Sequence, residues 1–174
     1  MAARKRASSE TDIKPTQPRG PVDGVFVSKR GIEFEQDFVA PPEKGKIYGR
    51  CGGRPLLSEL EQRVCQSLSR HGLAHSHAPR RFEVKLEDDK VAAYSPTMVL
   101  RGRGREGKTM VIEVLPTLSE IQIKKIKAFR QLFEAEFYVI LVSPGPVLDE
   151  IFERISDDEI LPSSIESLIA RLAE

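Results

Sequence analysis

The segment that most constrains the fold is Phe137–Val142, a run of apolar residues closed off by Pro144 and Gly145. A short apolar run without polar alternation is typical of a strand that is buried on both faces. Residues 119–133 precede it and carry apolar side chains at the spacing of one helix face. The sequence therefore predicts an α/β domain in which this buried strand is reached through a helical crossover.

The remaining elements are predicted from periodicity and capping signals. Residues 57–71 have apolar positions at helical spacing, with Ser58 and Glu61 as a capping-box pair and Gly72 at the end. Extended runs cover residues 81–86, 91–100 and 109–115, and closing helices cover residues 147–155 and 163–172. The order α-β-β-β-α-β with closing C-terminal helices predicts one domain over residues 55–174 with a mixed central sheet.

The N-terminal segment, residues 1–54, has no sustained apolar periodicity. It is rich in proline and begins with the basic residues Arg4, Lys5 and Arg6. This composition favours a flexible basic arm. Within the arm, residues 24–38 contain short alternating runs that could form a hairpin turning near residues 29–31.

The composition excludes a strong electrostatic field around the whole protein. The chain has 27 Lys and Arg residues against 26 Asp and Glu residues, so any basic binding site must be local. No apolar stretch approaches the roughly 20 residues that span a bilayer, and the N-terminus lacks a signal-like apolar region. We therefore expect a cytoplasmic protein without a membrane partner.

Cysteine and histidine usage predicts no metal centre. Cys51 and Cys65 lack the spacing of a ligand pair and are expected to be reduced and structural. His71, His75 and His77 surround a turn and lack a cysteine or carboxylate partner at metal-site spacing, so zinc is not expected.

Three motifs in this order resemble the PD-(D/E)xK nuclease superfamily, and the pattern is nearest to the endonuclease subunits of heteromeric transposases. The motifs are SELEQRVC at residues 58–65, YSPTMVL at residues 94–100 and MVIEVL at residues 110–115. The resemblance covers residues 57–145 and implies a restriction-endonuclease-like core. It puts Glu61 at the position of the family's helical Glu, Thr97 at the Asp, Glu113 at the Glu and Leu115 at the Lys.

The resemblance also implies that cleavage is impaired. In the family, carboxylates hold a divalent cation that activates water, and the Lys orients or deprotonates that water. Thr97 removes one charge from the metal site, and Leu115 can neither donate a proton nor orient water. Glu61 and Glu113 remain, and they would bind Mg²⁺ only in an active protein. Lys124, on the following helix, is the candidate for a relocated catalytic lysine.

Strand geometry supports the alignment independently. Residues 97 and 113 lie symmetrically about a basic turn centred near Arg105 and should oppose each other in an antiparallel hairpin. The turn is roughly 25 Å from them at about 3.3 Å per residue, so its cations cannot replace the missing Lys. A literal Glu-x-Lys at residues 83–85 has no Pro-Asp before it and is interpreted as a solvated strand face.

The basic hairpin supplies the candidate nucleic-acid contacts. These are Arg101, Arg103, Arg105 and Lys108, together with Lys127 on the helix. They could contact a phosphate backbone, and the alternative is a solvated hairpin tip. Aromatic residues make up 6% of the chain with no Trp, which disfavours single-strand stacking and leaves double-stranded DNA as the expected nucleic acid.

Three functional hypotheses remain open. The favoured one is a nuclease-like protein that lacks cleavage and binds DNA or a partner protein as a subunit of a DNA-processing complex. The second is an active Mg²⁺-dependent endonuclease with a rearranged site of Glu61, Glu113 and Lys124. The third is a purely structural interaction protein. The sequence does not determine the oligomeric state.

Overall fold

The computed structural model describes residues 46–174 apart from the side chain of Arg103, and the backbone of two short strands before them. These strands, β1 (Val25–Val27) and β2 (Glu33–Glu35), pair antiparallel, as the predicted hairpin requires. The predicted turn near residues 29–31 and the basic residues 4–6 lie outside the described residues.

The described chain alternates strands and helices, which confirms the α/β class. The later strands are β3 (Arg50–Cys51), β4 (Arg54–Pro55), β5 (His75–His77), β6 (Phe82–Lys85), β7 (Val91–Tyr94), β8 (Met98–Arg105), β9 (Lys108–Val114), β10 (Phe137–Val142) and β11 (Asp158–Ile160). The helices are α1 (Glu59–Arg70), α2 (Glu120–Leu132), α3 (Gly145–Leu148) and α4 (Ile165–Ala173), with a 3-10 turn at Pro162–Ser164 before α4.

A five-stranded sheet in the order β11-β10-β9-β8-β5 forms the centre of the domain. β10 pairs parallel with both β9 and β11, whereas β8 pairs antiparallel with β9 and β5, so the predicted mixed sheet is confirmed. Helix α2 makes the crossover from β9 to β10. All residues of β10 after Phe137 are at most 5% exposed, which confirms the strand buried on both faces.

The predicted strand over residues 91–100 is wrong as a single element. The chain breaks at Ser95 and Pro96, so that β7 pairs with β6 in a second sheet while β8 joins the central one. Pro96 lacks the N–H that a continuous ladder would need. One apolar run thus serves two sheets.

The central sheet separates two apolar cores. Residues of alternate parity along β9 enter different cores, because successive side chains of a strand point to opposite faces. Ile112 packs with α1 and α4, whereas Val111 and Leu115 pack with α2 and the β6–β7 hairpin. We call these the α1 face and the α2 face of the sheet.

The helices follow their sequence signals except near residue 150. The Ser58 hydroxyl accepts a hydrogen bond from the Glu61 N–H at 3.0 Å, and Gly72 has a φ of 69° just after α1, as expected for a helix end. Helix α4 confirms the last predicted helix. The helix predicted over residues 147–155 is wrong, because α3 ends at Leu148.

The segment that follows α3 is held by Asp157 instead of by helical hydrogen bonds. The Asp157 carboxylate accepts a hydrogen bond from the Val139 N–H at 2.8 Å and one from Arg130 at 2.7 Å. These contacts draw the chain to the edge of β10, where β11 begins.

Among the described helices, none combines the length and apolar content needed to cross a bilayer.

Candidate functional site

Glu113 is buried at the end of β9, with 5% of its surface exposed. The Thr97 hydroxyl donates to Glu113 Oε2 at 2.8 Å, and the Thr97 N–H donates to Oε1 at 3.1 Å. The Tyr94 hydroxyl also donates to Oε1. Thr97 Oγ1 in turn lies 3.4 Å from the Val114 N–H. The buried charge is therefore stabilised by donors from the chain itself.

The register of the β8–β9 hairpin brings Thr97 and Glu113 together. Met98 opposes Ile112, so residues 97 and 113 form the next position along the hairpin, as predicted. The turn itself lies at Glu106 and Gly107, which both have positive φ angles, and not at Arg105. A register shift between residues 99 and 104 of β8 accounts for the displaced turn.

Leu115, which the resemblance would align with a lysine, is a core side chain. Leu115 is 2% exposed and packs in the core of the α2 face. The predicted substitute, Lys124, is exposed to solvent. The buried lysine of α2 is its neighbour Lys125, which is 4% exposed. The role predicted for Lys124 stays a prediction, and the structure adds only that this side chain is exposed on α2.

Glu61 makes a separate set of contacts at the start of α1. Its Oε2 accepts a hydrogen bond from the Leu57 N–H at 2.7 Å, which ties down the chain entering the helix. Its Oε1 accepts one from His77 Nδ1 at 2.9 Å. Both partners are buried, since Glu61 is 8% exposed and His77 is 7% exposed. Glu61 thus links α1 to β5.

The carboxylates of Glu61 and Glu113 lie on opposite sides of the central sheet. His77, the partner of Glu61, opposes Met98, which opposes Ile112 on the α1 face. Glu113 follows Ile112 directly and opposes Leu141, which packs on the α2 face. Residues that oppose each other share a face, whereas consecutive residues do not. The structure therefore does not bring together the two glutamates predicted to share a metal.

The basic hairpin makes contacts of its own. Arg105 forms a 2.5 Å ion pair with Asp158, and its guanidinium lies 4.7 Å from the centre of the Tyr138 ring. Arg101 donates a hydrogen bond to the Ser76 hydroxyl at 2.6 Å. Lys108 is half-buried and opposes Arg105. The side chain of Arg103 is outside the described part of the structure.

Lys127 is bound between two carboxylates on the surface of the α2 face. Its ammonium contacts Glu153 and lies 2.5 Å from Glu87. The hydrogen bonds to Glu153 and Glu87 raise the pKa of Lys127 above its ordinary value. A phosphate would have to compete with both carboxylates for this side chain.

The literal Glu-x-Lys motif is a solvated strand face, as predicted. Glu83 and Lys85 of β6 are exposed, while Val84 between them is buried. Lys85 pairs with the exposed Asp89 across the hairpin turn. This alternation is that of a strand with one face in solvent.

A cluster that the sequence interpretation missed lies beside Glu61. One ligand atom from each member lies within 4.8 Å of the others, and we call the group the Cys/His cluster: Cys51, Cys65, His75 and His77. The expectation that these histidines lack cysteine partners is wrong. The available signal was the His-Ser-His spacing of β5, which puts both imidazoles on one strand face. The cysteines come from β3 and α1, too far along the chain to form a recognisable motif.

The protonation of Cys65 reflects its position in the cluster. Burial, followed by the contact with the Cys51 thiol, raises the pKa of Cys65 to about 12. The side chain is 5% exposed. Cys65 is therefore a neutral thiol at pH 7 in this structure.

A scan of the sequence against protein-family models gives no match, and a search of curated proteins likewise gives none. Any function must therefore be argued from the chain's own residues.

Proposed function

We propose that this chain is a catalytically inactive protein with a restriction-endonuclease-like core, acting as a non-catalytic subunit of a DNA-processing complex. The observation that carries this proposal is the state of Glu113. Its carboxylate is buried and accepts hydrogen bonds from Thr97 and Tyr94. In a nuclease of this type the same carboxylate would face a hydrated cation.

The hydrogen bonds of Glu113 disfavour a divalent metal. Mg²⁺ requires octahedral oxygen ligands and normally keeps several waters, so its site must be open to solvent. An N–H group and two hydroxyl protons point at the Glu113 oxygens and present partial positive charge where a cation would bind. Leu115 adds a methyl-bearing side chain where a water would need a polar partner. Metal-assisted hydrolysis would need Glu113 oxygens that are free to bind a cation and a polar side chain at position 115.

The topology supports the fold part of the proposal. Helix α1 precedes an antiparallel arrangement of β5, β8 and β9, and α2 then leads to β10, parallel with β9. These elements match the α-β-β-β-α-β order that the resemblance implies only if β5 is taken as the first strand, because the strand predicted over residues 81–86 is β6 of the second sheet. The β6–β7 hairpin is an insertion between β5 and β8.

Between the two modes of binding, we favour contact with a protein over contact with duplex DNA. The cations predicted to contact phosphate include Arg105 and Lys127, and both have carboxylate partners. The formal net charge of +1 adds no long-range attraction for DNA. Phe152 is 95% exposed, and phenylalanine is among the aromatic residues that are enriched at protein interfaces.

A plasmid-nicking assay tests the loss of cleavage. The full chain is incubated with supercoiled plasmid and Mg²⁺ or Mn²⁺, beside a Glu113→Gln variant that keeps the side-chain volume. We expect supercoiled plasmid to persist equally with both proteins. Metal-dependent nicking by the wild type that Glu113→Gln abolishes would refute the proposal. It would also support the rearranged-site hypothesis, and the lysines to substitute next would be Lys124, which that hypothesis names, and its buried neighbour Lys125.

Fluorescence anisotropy with a labelled duplex tests the mode of binding. We expect only weak, salt-sensitive association, with a Kd of about 10⁻⁶ to 10⁻⁴ M, the range of non-specific binding at physiological salt. Arg101→Ala and the exposed Arg171→Ala, on α4, should then behave alike. Tighter binding that Arg101→Ala weakens and Arg171→Ala does not would favour the DNA-binding mode over the protein-binding mode.

A further inference from the structure

The Cys/His cluster lies outside the nuclease-like site, on the α1 face of the sheet. Its four side chains come from three elements: β3 gives Cys51, α1 gives Cys65, and β5 gives His75 and His77. We propose that this cluster binds a structural zinc ion that fastens the β3–β4 hairpin to α1 and β5. The inference does not depend on whether the protein cleaves nucleic acid.

The distances within the cluster match a tetrahedral zinc site. Bond lengths of about 2.3 Å to sulfur and 2.0–2.1 Å to nitrogen put neighbouring ligand atoms roughly 3.3–3.8 Å apart. His75 Nε2 lies 3.3 Å from Cys65 Sγ and 3.6 Å from Cys51 Sγ. The complete set lies within 4.8 Å, so adjustments of side-chain rotamers suffice to close it around one ion.

Both imidazoles are held with Nε2 as the available ligand atom. His75 Nδ1 lies 3.0 Å from the carbonyl oxygen of Leu73, and His77 Nδ1 lies 2.9 Å from Glu61 Oε1. Because a carbonyl or carboxylate can only accept, each Nδ1 carries a proton, and in the neutral imidazole each Nε2 then has the lone pair that a metal needs. Zinc-bound histidines characteristically make this kind of outer contact, including the carboxylate–histidine–zinc arrangement.

His77 provides an independent sign that a ligand is expected. Its Nε2 is buried and has no hydrogen-bond partner among the described residues, although the whole residue is only 7% exposed. A buried polar atom without a partner is costly and calls for an explanation. Coordination of a metal by Nε2 supplies one, because the lone pair would then be used.

The ligand chemistry selects zinc and a structural role. Zinc binding would displace the thiol protons of both cysteines, and two thiolates with two imidazoles form a typical tetrahedral zinc set, whereas Mg²⁺ and Ca²⁺ prefer oxygen ligands. Four protein ligands leave no position for substrate or water, as in structural sites. A cleft of about 430 Å³ borders Cys51 and Cys65 and provides a route for the ion.

Metal analysis of the full chain is the first test. The protein is stripped with a chelator under reducing conditions, reloaded with Zn²⁺, dialysed, and measured by inductively coupled plasma mass spectrometry. We expect about one zinc per chain, the stoichiometry of a single four-ligand site. Loading with Co²⁺ should give the visible bands of a tetrahedral ion and a thiolate charge-transfer band in the near ultraviolet.

Variants assign the ligands. Cys51→Ser, in a half-buried position on the β3–β4 hairpin, should halve the charge-transfer intensity and weaken zinc binding by at least 100-fold. Glu61→Gln should weaken binding about 10–100-fold through His77, the range seen for outer-shell partners. His71→Gln is the matched control, since His71 contacts Ser67 O and not the cluster, and it should bind zinc as the wild type does.

Three results would overturn the proposal. One is a reloaded wild type holding no more zinc than the dialysis buffer. Another is zinc content and Co²⁺ spectra that Cys51→Ser leaves unchanged while the variant remains folded by circular dichroism. The third is a Cys51–Cys65 disulfide that persists under the reducing conditions of loading, because it would remove both thiolates.

Discussion

Replacing Thr97 by Val tests whether Glu113 is a structural group or a ligand waiting for a metal. The substitution nearly conserves volume and shape, so it leaves no cavity of consequence. It removes the hydroxyl that donates to Glu113 Oε2 at 2.8 Å and lies 3.4 Å from the Val114 N–H. The hydrogen bond from the Thr97 N–H to Glu113 Oε1 is retained, so the carboxylate loses one donor and keeps its position.

The magnitude follows from the charge and burial of Glu113. A hydrogen bond to a charged group contributes about 1.5–3 kcal/mol, and Glu113 is only 5% exposed, so solvent cannot replace the hydroxyl. We expect Thr97→Val to lower the free energy of unfolding by about 2 kcal/mol. For a domain of this size, that corresponds to a decrease in Tm of roughly 6 °C.

Urea unfolding followed by circular dichroism, at one defined metal content, measures the effect. The matched control is Thr117→Val, at an exposed position before α2, where we expect a change within about 0.5 kcal/mol. A double-mutant cycle with Glu113→Gln should give a coupling of about 1 kcal/mol or more between residues 97 and 113. A Thr97→Val variant as stable as Thr117→Val would show that the hydroxyl does not stabilise Glu113.

Two further predictions concern the remaining fold. Phe129→Ala should lower the free energy of unfolding by about 3–5 kcal/mol in thermal or urea unfolding, because Phe129 is fully buried among aromatic rings. The control is Leu132→Ala, since Leu132 is 60% exposed on the same helix and its replacement should change the stability little. Equal losses in the two variants would contradict the packing. Asp157→Asn should cost about 2–3 kcal/mol at pH 7, because it leaves the half-buried Arg130 without its carboxylate. Burial raises the pKa of Asp157, but hydrogen bonds from the Val139 N–H and Arg130 outweigh it, so the pKa lies below its ordinary value. The stabilisation by the Asp157 carboxylate is then complete above about pH 4 and is lost as the pH falls through its folded-state pKa. The difference in free energy of unfolding between wild type and Asp157→Asn should therefore become smaller in acid. A difference that does not change with pH would refute this role.

Elements with a strong local pattern were predictable from sequence. The apolar run of β10 and the Ser58 cap of α1 each depend on residues close together in the chain, although the Glu61 side chain accepts from the Leu57 N–H and not, as a full capping box requires, from the Ser58 N–H. The pairing of residues 97 and 113 was predicted from symmetry about Arg105, and it holds because the register shift in β8 offsets the difference between Arg105 and the actual turn. The exact turn was not, since the register shift in β8 absorbs residues that a regular ladder would pair.

The elements that were missed are those whose stability comes from distant partners. β5 has only three residues, and its pairing with β8 is what places His77 opposite Met98. The Cys/His cluster then needs β3, α1 and β5 to meet, and no local spacing encodes that meeting. Similarly, the motif predicted that Glu61 lies on a helix and Glu113 on a strand. It did not predict on which face of the central sheet each carboxylate lies, because that depends on how α1 packs against the sheet.

The contacts of the two glutamates explain how the domain can bury both without a shared cation. A carboxylate at position 97 would put a second negative charge beside that of Glu113, and either a bound cation or protonation of one of the two groups would have to relieve the repulsion. Thr97 substitutes two donors for that charge, and Tyr94 adds a third. Glu61, on the other face, accepts hydrogen bonds from the Leu57 N–H and from His77, and these offset the cost of burying its carboxylate. Each carboxylate is thus stabilised locally, and the stabilisation of one does not require the other.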